Sequence, residues 1–164
     1  MRISENSLKW LMRFYPPMFF QRIWVRSIHK DFMGIDVKIN RSVFTTNLGN
    51  SIFGGTIFSA TDPFYALLFG QILRHKGYKI TVWLKSAQIQ YIKPGRTDLF
   101  YTIRITPSMI EEAEQVLKNE GKFVKTYPIE IFDKKKELCA TAMNEIYVRD
   151  LNFLKLPDNV QKSI

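Results

Sequence analysis

The sequence predicts an α+β fold in which an antiparallel sheet wraps around one long central apolar helix. Three observations carry this. Residues 52–73 are the most apolar stretch of the 164-residue chain, with Asp62 the only formal charge between Gly54 and Leu73. Most of the chain after Gly77 alternates apolar and polar residues with the period of two that marks a half-buried strand. One amphipathic helical pattern interrupts those strands near 108–120. A helix apolar on all sides needs protein around it, and long antiparallel strands can curl over such a helix and cover it.

Taken in order, residues 6–28 mix Leu8, Trp10, Leu11, Phe14, Ile23, Trp24 and Val25 with Lys9, Arg13, Arg22 and Arg26. Pro16-Pro17 breaks the pattern, which predicts two short helical pieces within an N-terminal segment, residues 1–30, packed on the domain body. Ile35, Val37 and Ile39 alternate with Asp36, Lys38 and Asn40, a strand. The apolar helix follows. Asp62-Pro63 inside it has the grammar of an N-cap and first-turn proline, so a helix starting there would use the carboxylate only to satisfy backbone amides. Ile80–Lys93 reads as a long strand whose alternation slips between Leu84 and Ala87, the mark of a bulge, before the turn Lys93-Pro94-Gly95. Leu99, Tyr101, Ile103 and Ile105 make the next strand. Ser108 and Glu111 suggest a capping box for the second helix, and Gly121 its end. Residues 123–132 and 138–148 form a final strand pair around the turn 133–136, and 151–164 reads as a tail. The whole is expected to be a single domain, residues 1–164.

Composition narrows the function. With 46% apolar residues and thirteen Phe, the chain can bury a core without disulfides. Its single cysteine, Cys139, sits in an alternating run, reads as a buried side chain, and fits a reducing, cytoplasmic setting. His29 and His75 are far from other ligand types, and no zinc spacing, nucleophile elbow, phosphate loop or dinucleotide fingerprint is present; no metal site is expected. The net charge of +9 is uneven: residues 1–46 hold eight Lys/Arg against three acids, 47–106 seven against two, and 107–164 nine against ten. Such an excess attracts phosphates of a ligand, a nucleic acid or an anionic membrane, or simply keeps a solvated face soluble. A membrane span over 52–73 is disfavoured, because Asp62 at its centre would cost about 2.5–3.5 kcal/mol on insertion scales.

Asp62 draws attention because a carboxylate in apolar surroundings is desolvated, which raises its pKa and suits it to acid/base or nucleophilic work. The spacing around it sharpens this. Asn47, then Phe53-Gly54-Gly55, then Asp62, with Ile57-Phe58 between, resembles the pattern of phenylacetyl-CoA-type thioesterases of the hotdog fold, in which Asn precedes a His-Gly-Gly and a catalytic Asp follows. Tyr15-Pro16-Pro17, Asp62-Pro63-Phe64-Tyr65, Val82-Trp83, Ile92-Lys93-Pro94-Gly95 and Tyr147-Val148-Arg149 are similar to a hotdog family known only as a domain of unknown function. Together these cover about residues 10–150.

The resemblance implies a homodimer, possible as a tetramer of paired dimers, that hydrolyses acyl-CoA or a related thioester. It starts the helix at Gly54 rather than Asp62. Gly54 would present a backbone N–H to the thioester oxygen, helped by the helix dipole; Asn47 would donate a second bond or position water. Asp62, supplied by the opposite subunit, would attack the carbonyl or deprotonate water. Phe53, Gly55, Leu84 and Ser86 would line the substrate slot, with Ser86 on the same strand face as Leu84, and Lys93 and Arg96 would meet CoA phosphates. No separate cofactor is implied, since CoA enters as part of the substrate. Phe53 stands where those enzymes carry histidine and Leu84 where they often carry Ser or Thr, so an acyl-ligand binder without turnover is the alternative. No nucleic-acid partner is expected, and contact with a membrane surface is the less favoured reading.

Overall fold

Asp62 does not end the apolar helix. In the computed structural model, which describes residues 3–153, Asp62 is itself right-handed helical (φ −55°, ψ −62°) and joins α3 (Gly54–Thr61) to α4 (Pro63–His75). Its side chain makes no capping bond. What bends the helix here is Pro63, which has no N–H to give and crowds the preceding turn. The carbonyls around the break find other donors. Thr61 Oγ1 donates to Phe58 at 2.8 Å, Asn144 Nδ2 to Thr61 at 2.7 Å, and the buried Tyr101 hydroxyl to Ala60.

Around this helix lie α1 (Glu5–Phe14), α2 (Pro16–Phe20), β1 (Ile23–Ile28), β2 (Gly34–Ile39), β3 (Ile80–Tyr91), β4 (Leu99–Arg104), α5 (Pro107–Glu120), β5 (Lys122–Asp133) and β6 (Leu138–Asp150). The strands form one antiparallel sheet in the order β1-β2-β4-β5-β6-β3. Alternate residues of each strand face the helices. Ile35, Val37, Ile39, Leu99, Ile103, Ile129 and Ile131 are buried there with Phe64, Leu68, Phe69 and Leu73 of α4. Aromatic stacking reinforces that seam, Phe69 lying 5.4 Å from Tyr127 and Tyr65 4.9 Å from the same ring. Cys139 is buried, as its alternating context predicts. No helix among the described residues is long and apolar enough to cross a membrane.

Two expectations need correction. Residues 23–28 are not helical; they form β1, an edge strand on β2. Ile23 and Val25 are buried while Trp24 and Arg26 are exposed, a period-two signal hidden by the helical pattern just before it. The cap of α5 is Thr106, two residues ahead of the expected position; its side chain accepts from Met109 N, and Ser108 only bonds to the Thr106 hydroxyl. Gly121 does end that helix, in the left-handed region (φ 71°) where glycine has no steric penalty. Of the expected tail, residues 151–153 are described, with Leu151 N donating to Lys79 at 2.8 Å; 154–164 lie outside the described residues.

Candidate active site

The turn Asn47–Ile52 delivers the chain to the helix start. Asn47 Oδ1 accepts from both the backbone N and the hydroxyl of Ser51, at 3.2 Å each. Asn47 is exposed, and no acceptor is recorded for its Nδ2 among the described residues, so the amide keeps a donor. Two backbone bonds then fix the approach, Ile52 N to Gly95 at 2.8 Å and Phe53 N to Thr45 at 2.7 Å. Phe53 is the N-cap and contributes no side-chain cap. The first amides of α3, those of Gly54 and Gly55, are left without an intrahelical acceptor, as at any helix start, and sit at the positive end of the dipole.

Tyr91, at the end of β3, braces this terminus. Its hydroxyl donates to the Gly54 carbonyl at 2.8 Å. A Cβ on Gly54 would stand only 3.1 Å from the same ring and hydroxyl, so glycine lets the strand end close onto the helix. Loss of hydration raises the Tyr91 pKa, which keeps the hydroxyl a donor at neutral pH. Phe53 folds its ring over Gly55, where any Cβ would run into it.

Gly55, Phe58, Ser59 and Asp62 share one face of α3 by their three- and four-residue spacing. This face is not covered. Phe53, Phe58 and Asp62 are exposed, Gly54, Gly55 and Ser59 half-buried. Asp62 is therefore not enclosed by its own chain as its sequence context suggests. Apolar neighbours in sequence do not say which side of a helix a residue occupies. No hydrogen bond or ion pair reaches its carboxylate among the described residues, and partial desolvation alone raises its pKa. From Gly54 to Asp62 the helix advances about 12 Å. Within one chain, then, the carboxylate and the free amides are too far apart to share a reacting carbonyl.

The bulge expected in β3 is present: the register with β6 shifts between Leu84 and Ser86. It reverses the side-chain parity. Leu84 pairs with the buried Ile146 and faces the helix side, whereas Ser86 pairs with Glu145 and donates to its carboxylate at 3.0 Å. Ser86 is thus on the opposite sheet face from Leu84, not the same one, and cannot stand in for a polar group at that position. Beyond the bulge Ala87, Ile89 and Tyr91 return to the helix side, none fully buried. Lys93 is engaged by Asp133 at 3.3 Å and by Glu137, so an incoming phosphate would compete with two carboxylates. Arg96 is exposed with no ion pair recorded among the described residues.

Sequence reasoning did not single out Tyr91, Tyr101 or Asn144. Tyr101 and Asn144 hold the backbone carbonyls of Ala60 and Thr61, just ahead of Asp62. Each is an isolated polar atom on an inward strand position, the only signal that could have pointed to them. A cavity of about 680 Å³ lined by Phe32, Ile72, His75 and Ile110 lies near the other end of α4. It includes none of the residues above, being some 20 Å farther along the helix than Asp62.

Comparison with known proteins follows this geometry. Residues 5–148 match a domain of unknown function, DUF4442. No curated protein matches the chain by sequence. Among solved structures, a Pseudomonas aeruginosa protein of unknown function, named a probable thioesterase, superposes with TM-score 0.76 at 14% identity, covering 92% of this chain and 98% of its own. A Haemophilus influenzae thioesterase gives 0.67 at 13% identity over 95% and 97%. The Escherichia coli PaaI protein, from the phenylacetic acid degradation operon, gives 0.57 at 16% over 91% and 97%. At these identities the likeness defines the architecture alone. The chain belongs to the DUF4442 family and has the hotdog fold.

Proposed function

We propose that this protein is a thioester hydrolase acting on acyl-CoA or a related thioester at a site shared between two copies of the chain. The observation that carries the reading is the placement of its two chemical parts. A free helix terminus and an unpaired carboxylate lie on one bare helix face, about 12 Å apart along the axis. An antiparallel partner docked on this face and on the inner side of β3 would bring the Gly54 amide of one protomer to the Asp62 carboxylate of the other. The amide holds the developing oxyanion. The carboxylate attacks the thioester carbon or takes a proton from the attacking water, and the thiolate of CoA leaves. Docking also completes the desolvation of Asp62 and raises its pKa further. The solved neighbours named as thioesterases support the reaction class.

A panel of acyl-CoA substrates with a thiol-detecting reagent tests this. Turnover should vanish in Asp62→Asn. Gly54→Pro should remove the oxyanion donor and keep the helix start, since proline is tolerated at a first helical position and Phe53 already has the extended backbone it requires (φ −59°, ψ 132°). The new Cβ also presses on the Tyr91 ring, so the variant's fold is checked by melting temperature. Mixing the two inactive variants should restore activity, because each supplies what the other lacks. Inactive mixtures from variants that fold and pair would defeat the shared site. A second reading rests on Phe53, whose ring covers Gly55 beside the donor amides: an acyl-ligand carrier that binds without turnover. Saturable acyl-CoA binding with no thiol released across the panel would select it.

A further inference from the structure

Helix α1 is apolar on two sides. Leu8 and Met12 are buried against the sheet, as a surface helix requires. The opposite side of such a helix is ordinarily polar, yet here it carries Trp10, Leu11 and Phe14. Trp10 is 45% exposed, Phe14 67%, and Phe20 of α2 72%. These rings are contiguous: Trp10 stacks on Phe14 at 6.0 Å, Phe14 on Phe19 at 6.5 Å, and Phe19 meets Phe20 edge-on at 5.6 Å. Arg22 extends the row to the exposed Phe44, 5.5 Å from its ring, in the loop that also carries Leu48. Lys9 and Arg13 lie over the Trp10 ring at 5.5 and 5.0 Å.

We infer that this aromatic row is a docking surface for an anionic lipid bilayer. Its charge decides the occupant. Lys9, Arg13 and Arg22 lie against its rings, and between Glu5 and Asp31 the chain holds no acid. Arg26 and Lys38 lie instead over Phe100 on the sheet, where Lys38 pairs with Asp98. A second copy docked here about a two-fold axis would set like charges against each other. A nucleic-acid duplex would answer the cations but keeps its bases stacked on one another and away from the rings. A leaflet with acidic headgroups answers both, since aromatic rings settle at the headgroup level and Lys/Arg meet the phosphates. The surface lies at the β1 edge of the sheet, away from β3, so it stays open when β3 is covered. It also adjoins the loop bearing Asn47. This inference stands whether or not the protein hydrolyses thioesters.

Sedimentation of the full chain with phosphatidylcholine vesicles, with and without phosphatidylserine, tests it. Binding should be about tenfold stronger with the anionic lipid and weaken as salt is added. It should be lost in Phe14→Ser/Phe20→Ser, whose exposed positions leave the core intact by melting temperature. Leu48→Ser, fully exposed in the loop that carries Phe44, is the second variant should the first unfold, and should weaken binding on its own. No binding to anionic vesicles at low salt overturns the inference, as does binding that both variants leave unchanged. Should the variants instead split an oligomer on gel filtration, the row is covered by a second copy. Should they abolish tight binding to duplex DNA while vesicles are ignored, it belongs to nucleic acid. Either result replaces the lipid.

Discussion

The two halves of the central helix share a composition and differ in fate. In α4, Phe64, Leu68, Phe69 and Leu73 have no exposed surface, and Tyr127 of the sheet stacks on both Tyr65 and Phe69. In α3, Ile57 and Ala60 are buried too, but Phe58 and Asp62, one and two residues on from them, look outward. Hydropathy alone cannot separate these halves. What separates them is the sheet, which closes over α4 through β3, β5 and β6 and leaves the Phe58–Asp62 face of α3 bare. One half holds the fold together; the other is free to be completed by something else.

The contrast can be broken most forcefully in α4. Phe69→Ala should lower unfolding free energy by about 3–5 kcal/mol, measured by chemical denaturation, because a void there is ringed by fixed aromatic neighbours. A comparable substitution, Phe58→Ala, should cost far less in the isolated chain, so equal losses would refute the difference between the halves.

Next in size is the ionisation of Asp62. A carboxyl whose folded pKa is raised adds stability at low pH and loses it as pH climbs above the unfolded value near 3.8. Asp62→Asn should therefore melt higher than the parent at neutral pH, and the gap should close on acidification. Activity moves the other way: only the ionised acid can serve as base or nucleophile, so turnover should fall on acidification with a midpoint above that of an ordinary carboxylate. A variant that melts lower at neutral pH would mean the charge has a partner.

Smaller effects sharpen the picture. Tyr91→Phe removes one half-exposed hydrogen bond to Gly54 and should cost about 0.5–1.5 kcal/mol, with a drop in turnover larger than the drop in stability explains. Ser86→Ala, on the far side of the sheet, should leave turnover unchanged and stability within about 0.5 kcal/mol. Loss of turnover there would contradict the parity set by the bulge.

Much of this architecture was legible from period alone. The β5–β6 pair, the slip in β3 and the glycine that stops α5 were all readable, because each is a local rule written in neighbouring residues. β1 was obscured, since Ile23 and Val25 alternate for too few positions beside a proline-broken helix. Ser86 was placed on the wrong face for a related reason. A bulge can be sensed as a slip, but where the extra residue sits depends on pairing with β6. The outward turn of Asp62 was out of reach altogether. It depends on which side of α3 the sheet leaves open, a property of strand order and not of the segment.

The sheet ends differently on its two margins. β1 is short, its register shifts between Val25 and Ser27, and Arg13 Nε takes up the Val25 carbonyl at 2.8 Å. β3 runs twelve residues along the opposite margin, with no strand beyond it among the described residues. Growth by added strands is thus blunted at one end and permitted at the other. A margin closed by a register shift and a side-chain bond refuses added strands, which protects an aromatic-rich sheet from growing into fibres on that side.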